Sequence, residues 1–490
     1  MTMLGTESLA NIASHVLVPD YDRASVQVGI VHIGVGSFHR AHEALYVDRL
    51  LSADSQWGIC GVGVRPEDAA TRDALVPQDG IYTLTTVDPA GEQETRAVGS
   101  IVRYLYAPDD PEAVLRQMAD PAVRIVSLTI TEGGYGVDDA TGVFSPVDAA
   151  TRMDMAGAVV PTSAFGMITE ALRRRRKSGI APFTVLSCDN VQHNGRVARK
   201  ALCAVAEAID PELAQWIADE VAFPNSMVDR ITPGTTDEIR RAVAQDIGLE
   251  DRWPVRAESY LQWVLEDNFP AGRPNWQAAG VQLVTDVEPY ELMKLRLLNA
   301  SHQVMSYPAL LAGLTWVDDA CHDAQIIALL QGWMRGARSS LLPVPGVDLD
   351  NYCSTLIERF GSTAVRDTLA RLAVSSSDRL PKFVVPVLAA RADQPLNRYG
   401  MFALAAWSVW LAEALATDGA DITDARREEM LAAAAREEAG EQAALLDVQA
   451  IFATLGQDPE VRATYWQLRM DIREHGVRSA LTSLLAVHDG

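Results

Sequence analysis

The rhythm of the hydrophobic positions changes along the chain. Val28-Gly-Ile-Val-His-Ile33 and Trp57-Gly-Ile-Cys-Gly-Val-Gly-Val64 are short β-rich runs bounded by glycine, and around 38–52 between them apolar positions recur at helical spacing. Strand, helix and strand are predicted, the unit from which parallel sheets are built. Runs at 123–130 (VRIVSLTI) and 183–187 (FTVLS), separated by a helical segment over 161–177, continue the alternation. After about residue 290 the pattern is different. Long Ala, Leu, Arg and Glu segments at 323–341, 363–374, 400–417 and 424–455 are divided by brief Pro, Gly or Asp punctuation, with no convincing strand. The chain therefore reads as an α/β domain over 1–286 with a mostly parallel sheet, followed by an all-α domain over 287–490, the boundary falling near 280–292. No Ser/Gly linker, repeat or low-complexity tract separates them, so the halves are expected to pack closely, with any cleft between them.

Composition narrows the classes of function. With 490 residues, 48% of them apolar, the chain can bury a large core in two domains. A net charge of −23, spread along the sequence, leaves no basic face for a phosphate backbone, so nucleic acid is not an expected partner. Five cysteines (Cys60, Cys188, Cys203, Cys321, Cys353) are odd in number, far apart and never spaced CxxC, against a disulfide framework or a structural zinc site. The N-terminus carries acids and polar residues where an export signal needs a basic start and an apolar core. Met401 to Ala412 falls short of the ~20 residues of a membrane span and reads as a buried core helix. A cytoplasmic protein with no membrane partner is expected.

Candidate chemistry begins at the end of the first strand. In Ile33-Gly34-Val35-Gly36-Ser37-Phe38, Gly34 permits a tight turn and Gly36 lets the backbone approach a pyrophosphate, although His39 stands where a third glycine is usual. An ordinary strand-turn-helix fits these residues as well. After the second strand, Glu67 and Asp68 can accept from an adenosine ribose and repel a 2′-phosphate, which favours NAD over NADP; Arg65 beside them could instead welcome a phosphate, and a solvated turn is the plain alternative. Thr131-Glu132-Gly133-Gly134-Tyr135 follows the third strand at the edge where parallel sheets bind ligands, and is expected near a nicotinamide unless it is a simple Gly-Gly turn.

The segment from Glu291 to Pro308 is helical and apolar nearly all round, which implies burial, and Pro308 is expected to limit its C-terminal extent. In an α-helix Glu291, His302 and Asn299 fall about 60°, 80° and 140° from Lys294 in the same sense, so the four share a face. Hydride transfer from a secondary alcohol needs a base for the hydroxyl proton and donors for the carbonyl oxygen, and a desolvated lysine can be that base without a metal. Lys294 suits the first task. Asn299 and Asn190, the latter from Ser187-Cys188-Asp189-Asn190, suit the second, and His302 can bond a neighbouring hydroxyl or orient the lysine. A lysine snorkelling to solvent beside a satisfied core histidine remains the alternative. Tyr290 to Lys294 spells YxxxK but lies too late in the chain for a tyrosine-base dehydrogenase, and His39-Arg-Ala-His42-Glu43 matches neither zincin order. No metal is expected.

Gly34-x-Gly36-x-Phe38-His39-Arg40, Ser187-Cys188-Asp189-Asn190, Val228-Asp229-Arg230-Ile231-Thr232-Pro233 and Lys294-x4-Asn299-x2-His302 occur together and in order, with Trp263 to Trp276 between the last two. In these motifs the chain resembles the mannitol dehydrogenase family of polyol-specific long-chain dehydrogenases, over nearly its whole length. The resemblance implies a Rossmann-type N-terminal domain with a helical C-terminal domain, NAD without zinc, a lysine base, an oxyanion site from Asn190 and Asn299, and Asp229 beside the cofactor. It also implies proton passage through Glu291 and substrate contacts at Arg371 and Arg379, the second often a lysine in the family. The substrate it implies is a small polyol or ketose. D-mannitol with D-fructose is the expected pair; fructuronate or tagaturonate reduction and D-arabinitol oxidation are the alternatives. Two arginines could grip a carboxylate, which keeps sugar acids open, but fructuronate reductases tend to carry lysine at the first glycine of Thr131–Tyr135. A dinucleotide-binding sensor without catalysis would need the glycine turn but not the lysine, asparagines and histidine. Oligomeric state, monomer included, is left open.

Overall fold

The computed structural model describes residues 1–490 except 139–140, 364–365, 391–394, 418, 421 and 487–490. It divides into two compact units, Met1–Glu288 and Pro289–Gly490.

The first unit is built on five strands, β1 (Val28–Ile33), β2 (Gly58–Gly63), β5 (Ile101–Tyr106), β6 (Ile125–Leu128) and β7 (Thr184–Ser187), all parallel in the order β5-β2-β1-β6-β7. All but the edge strand β5 are buried on both faces, as a parallel sheet covered on both sides requires. Val31, Ile33 and Val126 join the core under the helices Pro111–Ala119, Ala164–Lys177 and Asn194–Ile209. Ile30, Ile59 and Ile125 join a second core on the opposite face. The order reverses between β1 and β6, and a doubly wound sheet binds ligands at the carboxyl ends of the strands flanking such a reversal.

Two smaller sheets complete the unit. β3 (Tyr82–Val87) pairs with β4 (Gln93–Val98) as a hairpin and with β9 (Val255–Glu258) in parallel, and β10 (Gln262–Glu266) lies between β8 (Ser226–Asp229) and β11 (Gln282–Val284). The helix expected over 38–52 is two short helices, Ser37–Ala41 and Glu43–Asp48, broken at His42, whose φ of −120° and ψ of −95° are not helical.

The second unit is helical among its described residues. Its centre is Arg398–Ala414, capped by Asn397 and packed against Pro459–His475 and Ala300–Leu311. Arg398–Thr417 is the one stretch among the described residues long and apolar enough to cross a bilayer. Most of it is buried inside this unit, the placement of a core helix. Pro308 does not end its helix, which continues to Leu311; the Tyr307-Pro308-Ala309 stretch is fully buried, and packing holds the backbone past the missing donor.

Candidate active site

In the first unit the glycine turn is shaped as the sequence requires. Gly34 has φ +94°, and a Cβ there would sit 2.1 Å from the Thr129 carbonyl oxygen, so only glycine fits. Gly36 differs, having an ordinary φ of −88° and only an ordinary 3.9 Å contact, with the Gly34 carbonyl oxygen, where a Cβ would point, at the start of the helix opened by Ser37 and Phe38. That bare, exposed backbone is what a pyrophosphate can approach. His39, in place of the third glycine, is fully buried and stacks on His32 of β1 with ring centroids 3.4 Å apart and 9° between planes, so a ring stack brings helix to strand where a missing side chain usually does. His32 in turn bonds Ser127 Oγ (2.7 Å) and Thr129 Oγ1 (2.8 Å), and Thr129 Oγ1 donates to the Gly34 carbonyl at 2.6 Å.

His32, His39 and Glu43 bring one ligand atom each within 4.8 Å of the others. The parallel stack sets the in-plane lone pairs of the two imidazoles side by side rather than converging, which is a poor donor set for a tetrahedral ion.

At the end of β2 the two acids separate. Asp68 spends Oδ2 on the Val64 and Arg65 amides at 2.9 and 3.0 Å, closing the turn, while Glu67 is exposed. Glu67 is thus the better placed of the pair to meet a ribose.

The loop after β6 carries backbone strain. Thr131 has φ +67° and ψ +160°, a region that a β-branched residue rarely adopts. Asp189, buried just beyond β7, holds it there by accepting the Ile130 and Thr131 amides, both at 2.9 Å, and the Tyr135 hydroxyl at 2.6 Å. Burial pushes the Asp189 carboxyl up, and those three donors pull it back. The next residue, Asn190, is exposed and points Nδ2 at Glu132 Oε1 across 3.5 Å. Loop and asparagine therefore meet at the carboxyl ends of adjacent strands. Asp229 closes β8 and is buried at 5% exposure. The positioning role of Asp189 was missed from sequence; its signal was an acid directly after a buried strand and beside a candidate asparagine.

In the second unit the predicted helix contains a π segment. Glu288–Met293 is α-helical, Lys294–Asn299 is π-helical and Ala300–Leu311 is α-helical again, with the Ala300 amide donating five residues back to Leu295. The wider turn brings Asn299 nearer to the line of Lys294 than α geometry would, and such bulges are frequent at functional sites. Lys294 is 7% exposed, Glu291 5% and Asn299 9%, so three polar side chains are buried within nine residues. His302, one turn on, lies against the Phe360 ring at 4.6 Å. Its pKa is pushed down to about 4, first by desolvation, with Arg371, Arg359 and Arg379 in the same sense and Asp367 opposing. The imidazole is neutral at neutral pH. Tyr290 is buried and its hydroxyl donates to the Pro345 carbonyl at 2.7 Å, a structural role consistent with chance in the YxxxK spelling.

The two arginines are already occupied. Arg371 forks onto both oxygens of Asp367, and Arg379 donates to the Leu372 carbonyl at 2.9 Å. Arg371 does not present an empty fork to a carboxylate.

Comparison with known proteins gives a consistent picture. Residues 28–278 match the family described as mannitol dehydrogenase Rossmann domain, and 286–468 the mannitol dehydrogenase C-terminal domain. A mannitol 2-dehydrogenase of Phaeosphaeria nodorum is 45% identical over 416 residues, covering 83% of this chain and 73% of that one. Among solved structures, the Pseudomonas fluorescens mannitol 2-dehydrogenase, in ternary complex with NAD and D-mannitol, has 40% identity and a TM-score of 0.86 over 99% of this chain and 100% of that one. A D-sorbitol dehydrogenase in substrate-free form has 38% identity and a TM-score of 0.89, covering 98% and 100%.

Proposed function

Because the chain belongs to the mannitol dehydrogenase family, we propose that it is an NAD-dependent, zinc-independent polyol dehydrogenase interconverting D-mannitol and D-fructose, with Lys294 as general base. The observation that carries this reading is a lysine withdrawn from water on a π-distorted helix that also buries Glu291 and Asn299. An ammonium removed from water gives up its proton more readily, which is what a base for an alcohol needs.

Bound NAD supplies the hydride acceptor. The residues of the chain then have separate tasks. The Gly34–Phe38 turn, Glu67, the Thr131-Glu132 loop and Asp229 hold and orient the dinucleotide. As the hydride leaves the carbinol carbon, Lys294 Nζ takes the hydroxyl proton, and Glu291 passes it onward. Asn299 and Asn190 donate to the oxygen as it becomes a carbonyl, which lowers the cost of the charge that develops there. His302, neutral, bonds a neighbouring hydroxyl.

A neutral substrate fits the occupied Arg371 fork better than a uronate does. NADH oxidation with D-fructose against D-fructuronate tests this, and a strong preference for fructuronate would overturn the assignment. Full turnover after exhaustive chelation is expected. Activity lost to a chelator and restored by zinc would refute the metal-independent mechanism.

A further inference from the structure

Strands β1 and β6 pair in a register that sets His32 beside Ser127, and the helix Glu43–Asp48 brings Glu43 onto the same two side chains. His32 and Ser127 are completely buried and Glu43 is 1% exposed, so bulk water supplies none of their hydrogen bonds. Their donors and acceptors can therefore be counted.

On the Nε2 side of His32 the count leaves no choice. The Gly34 carbonyl can only accept, so the Thr129 hydroxyl, 2.6 Å away, spends its one hydrogen there. Thr129 Oγ1 then has only lone pairs to offer His32 Nε2 at 2.8 Å, and Nε2 must carry a proton. The second contact of Nε2, 3.3 Å from the same Gly34 carbonyl, requires this too. On the other side of the ring, Nδ1, Ser127 Oγ and Glu43 Oε2 form a triangle of 2.7, 2.9 and 3.0 Å in which the serine supplies one hydrogen. A bare Nδ1 would face the carboxylate oxygen lone pair to lone pair, away from water. One more proton closes the triangle, and imidazole, the stronger base with a pKa of about 6.5 against about 4.3 for a glutamate, holds it. His39 does not compete for that proton. Its Nε2 is 3.6 Å from Glu43, and burial, with the charge of the adjacent His32, keeps its pKa well below the usual histidine value.

We propose that His32 is a doubly protonated positioning residue of the dinucleotide turn, with Glu43 as its counter-charge, and that it acts by fixing the direction in which Thr129 donates. The consequence lies in the Gly34-Val35 peptide. Its carbonyl is held by the Thr129 hydroxyl and by the Gly36 amide at 2.7 Å, and in a trans peptide the N–H points the opposite way, so the Val35 amide is turned away from Thr129. A turn that presents N–H groups attracts a pyrophosphate, whereas a flipped peptide presents a carbonyl oxygen that repels it. Were Nε2 bare, Thr129 would donate to it instead, and the Gly34 carbonyl would lose its shortest bond. The role rests on the reading of this turn as the dinucleotide site.

Nitrogen-15 NMR of the histidine-labelled full chain at pH 8 tests it, with the His32 ring signals assigned through that residue's own backbone amide. A histidine in water is neutral at that pH, whereas His32 is expected to carry a proton on both ring nitrogens, and Glu43→Gln to strip it from Nδ1. The measurement on the parent needs no substitution and so stands even where a variant fails to fold. In NADH titrations Glu43→Gln and Thr129→Val should each weaken the cofactor about tenfold, while Thr129→Ser, which keeps the hydroxyl, should bind within about twofold of the parent. Thr129→Val should also raise KM for NAD by a larger factor than it lowers kcat, a split that general loosening of the fold would not produce. A bare ring nitrogen on His32 in the parent would overturn the protonation, and parent-like NADH affinity in Thr129→Val would overturn the positioning role. Either result leaves the dehydrogenase assignment standing; that assignment falls instead if the parent binds no NADH.

Discussion

Two buried polar clusters, one in each unit, use similar residues for different ends. Beneath the glycine turn, His39 stacks on His32, His32 and Glu43 bond each other and Ser127, and His32 bonds Thr129, which fixes the Gly34 carbonyl from behind. Along the π segment, Glu291, Lys294 and Asn299 are buried side by side on one helix, with His302 a turn away on a phenylalanine. The first cluster is a scaffold whose members meet across a strand and a helix and fix a backbone. The second sets polar groups in a row on a distorted helix, the arrangement that the proposed mechanism uses. Burial of polar groups alone therefore does not identify catalysis; what they hold in place does.

The sharpest way to break this contrast is Lys294→Ala. If the second cluster is catalytic, kcat for mannitol oxidation should fall by about 10² to 10⁴-fold, the usual contribution of a general base, while NADH still quenches or enhances fluorescence on binding. Turnover within a factor of about three of the parent would remove the lysine from the mechanism. The scaffold is tested next through its two glycines. Gly34→Ala forces a Cβ against the Thr129 carbonyl at a positive φ and should cost about 2 to 5 kcal/mol, read as a lower urea midpoint. Gly36→Ala makes only an ordinary contact, 3.9 Å from the Gly34 carbonyl oxygen, and should change stability by less than about 0.5 kcal/mol, yet weaken NADH at least about tenfold because its methyl enters the cofactor's space. Equal NADH affinity in the Gly36 variant would show that the turn is not where the pyrophosphate lies.

How much of this was legible in the sequence depends on how local each signal is. Four of the five parallel strands, β1, β2, β6 and β7, announce themselves as short apolar runs, the first two bounded by glycine, and the helical second unit follows from its composition. β5 was missed because Ile101-Val-Arg-Tyr-Leu-Tyr106 looks like a half-exposed edge, which it is. Outside the β3–β4 hairpin, the small sheets are assembled from distant segments, and no local periodicity fixes such pairings. The same limit applies to the sites. Lys294, Asn299 and His302 lie within nine residues, so their grouping was readable, whereas the π turn that realigns them depends on packing and was not. That Asp68 closes a turn while Glu67 stays free, and that Arg371 is engaged by Asp367, became visible only once the partners were in place.

Asp189 tests whether the first unit has a working part as well as a scaffold. Its carboxylate accepts two amides and a hydroxyl, and Asp189→Asn would turn a donor toward them, costing about 1 to 3 kcal/mol for the mismatched buried group. The strain at Thr131 should then relax. Faster amide exchange at Ile130 and Thr131, with β1 unaffected, is the expected result, together with a raised KM for NAD. Unchanged exchange at both amides would show that the loop holds its shape without the acid.

The smallest effect expected concerns His302 and pH. Its pKa in the fold is about 4, below the 6.5 of an unfolded histidine, so between these values the unfolded chain binds a proton that the folded one does not. Stability from this group is complete above about pH 6.5 and is lost as pH falls toward 4, by about 1 to 3 kcal/mol at most. The fold therefore keeps His302 neutral, suited to hydrogen bonding and not to carrying charge. In His302→Asn the urea midpoint should decline less than the parent's between pH 6.5 and 4.5, and the two should run parallel above pH 7. The ratio of kcat/KM between parent and variant should likewise stay flat from pH 6 to 9. A ratio that bends near 6.5 would mean that His302 titrates as if in water, and the second cluster would then lose the shielding that sets it apart from an exposed helix face.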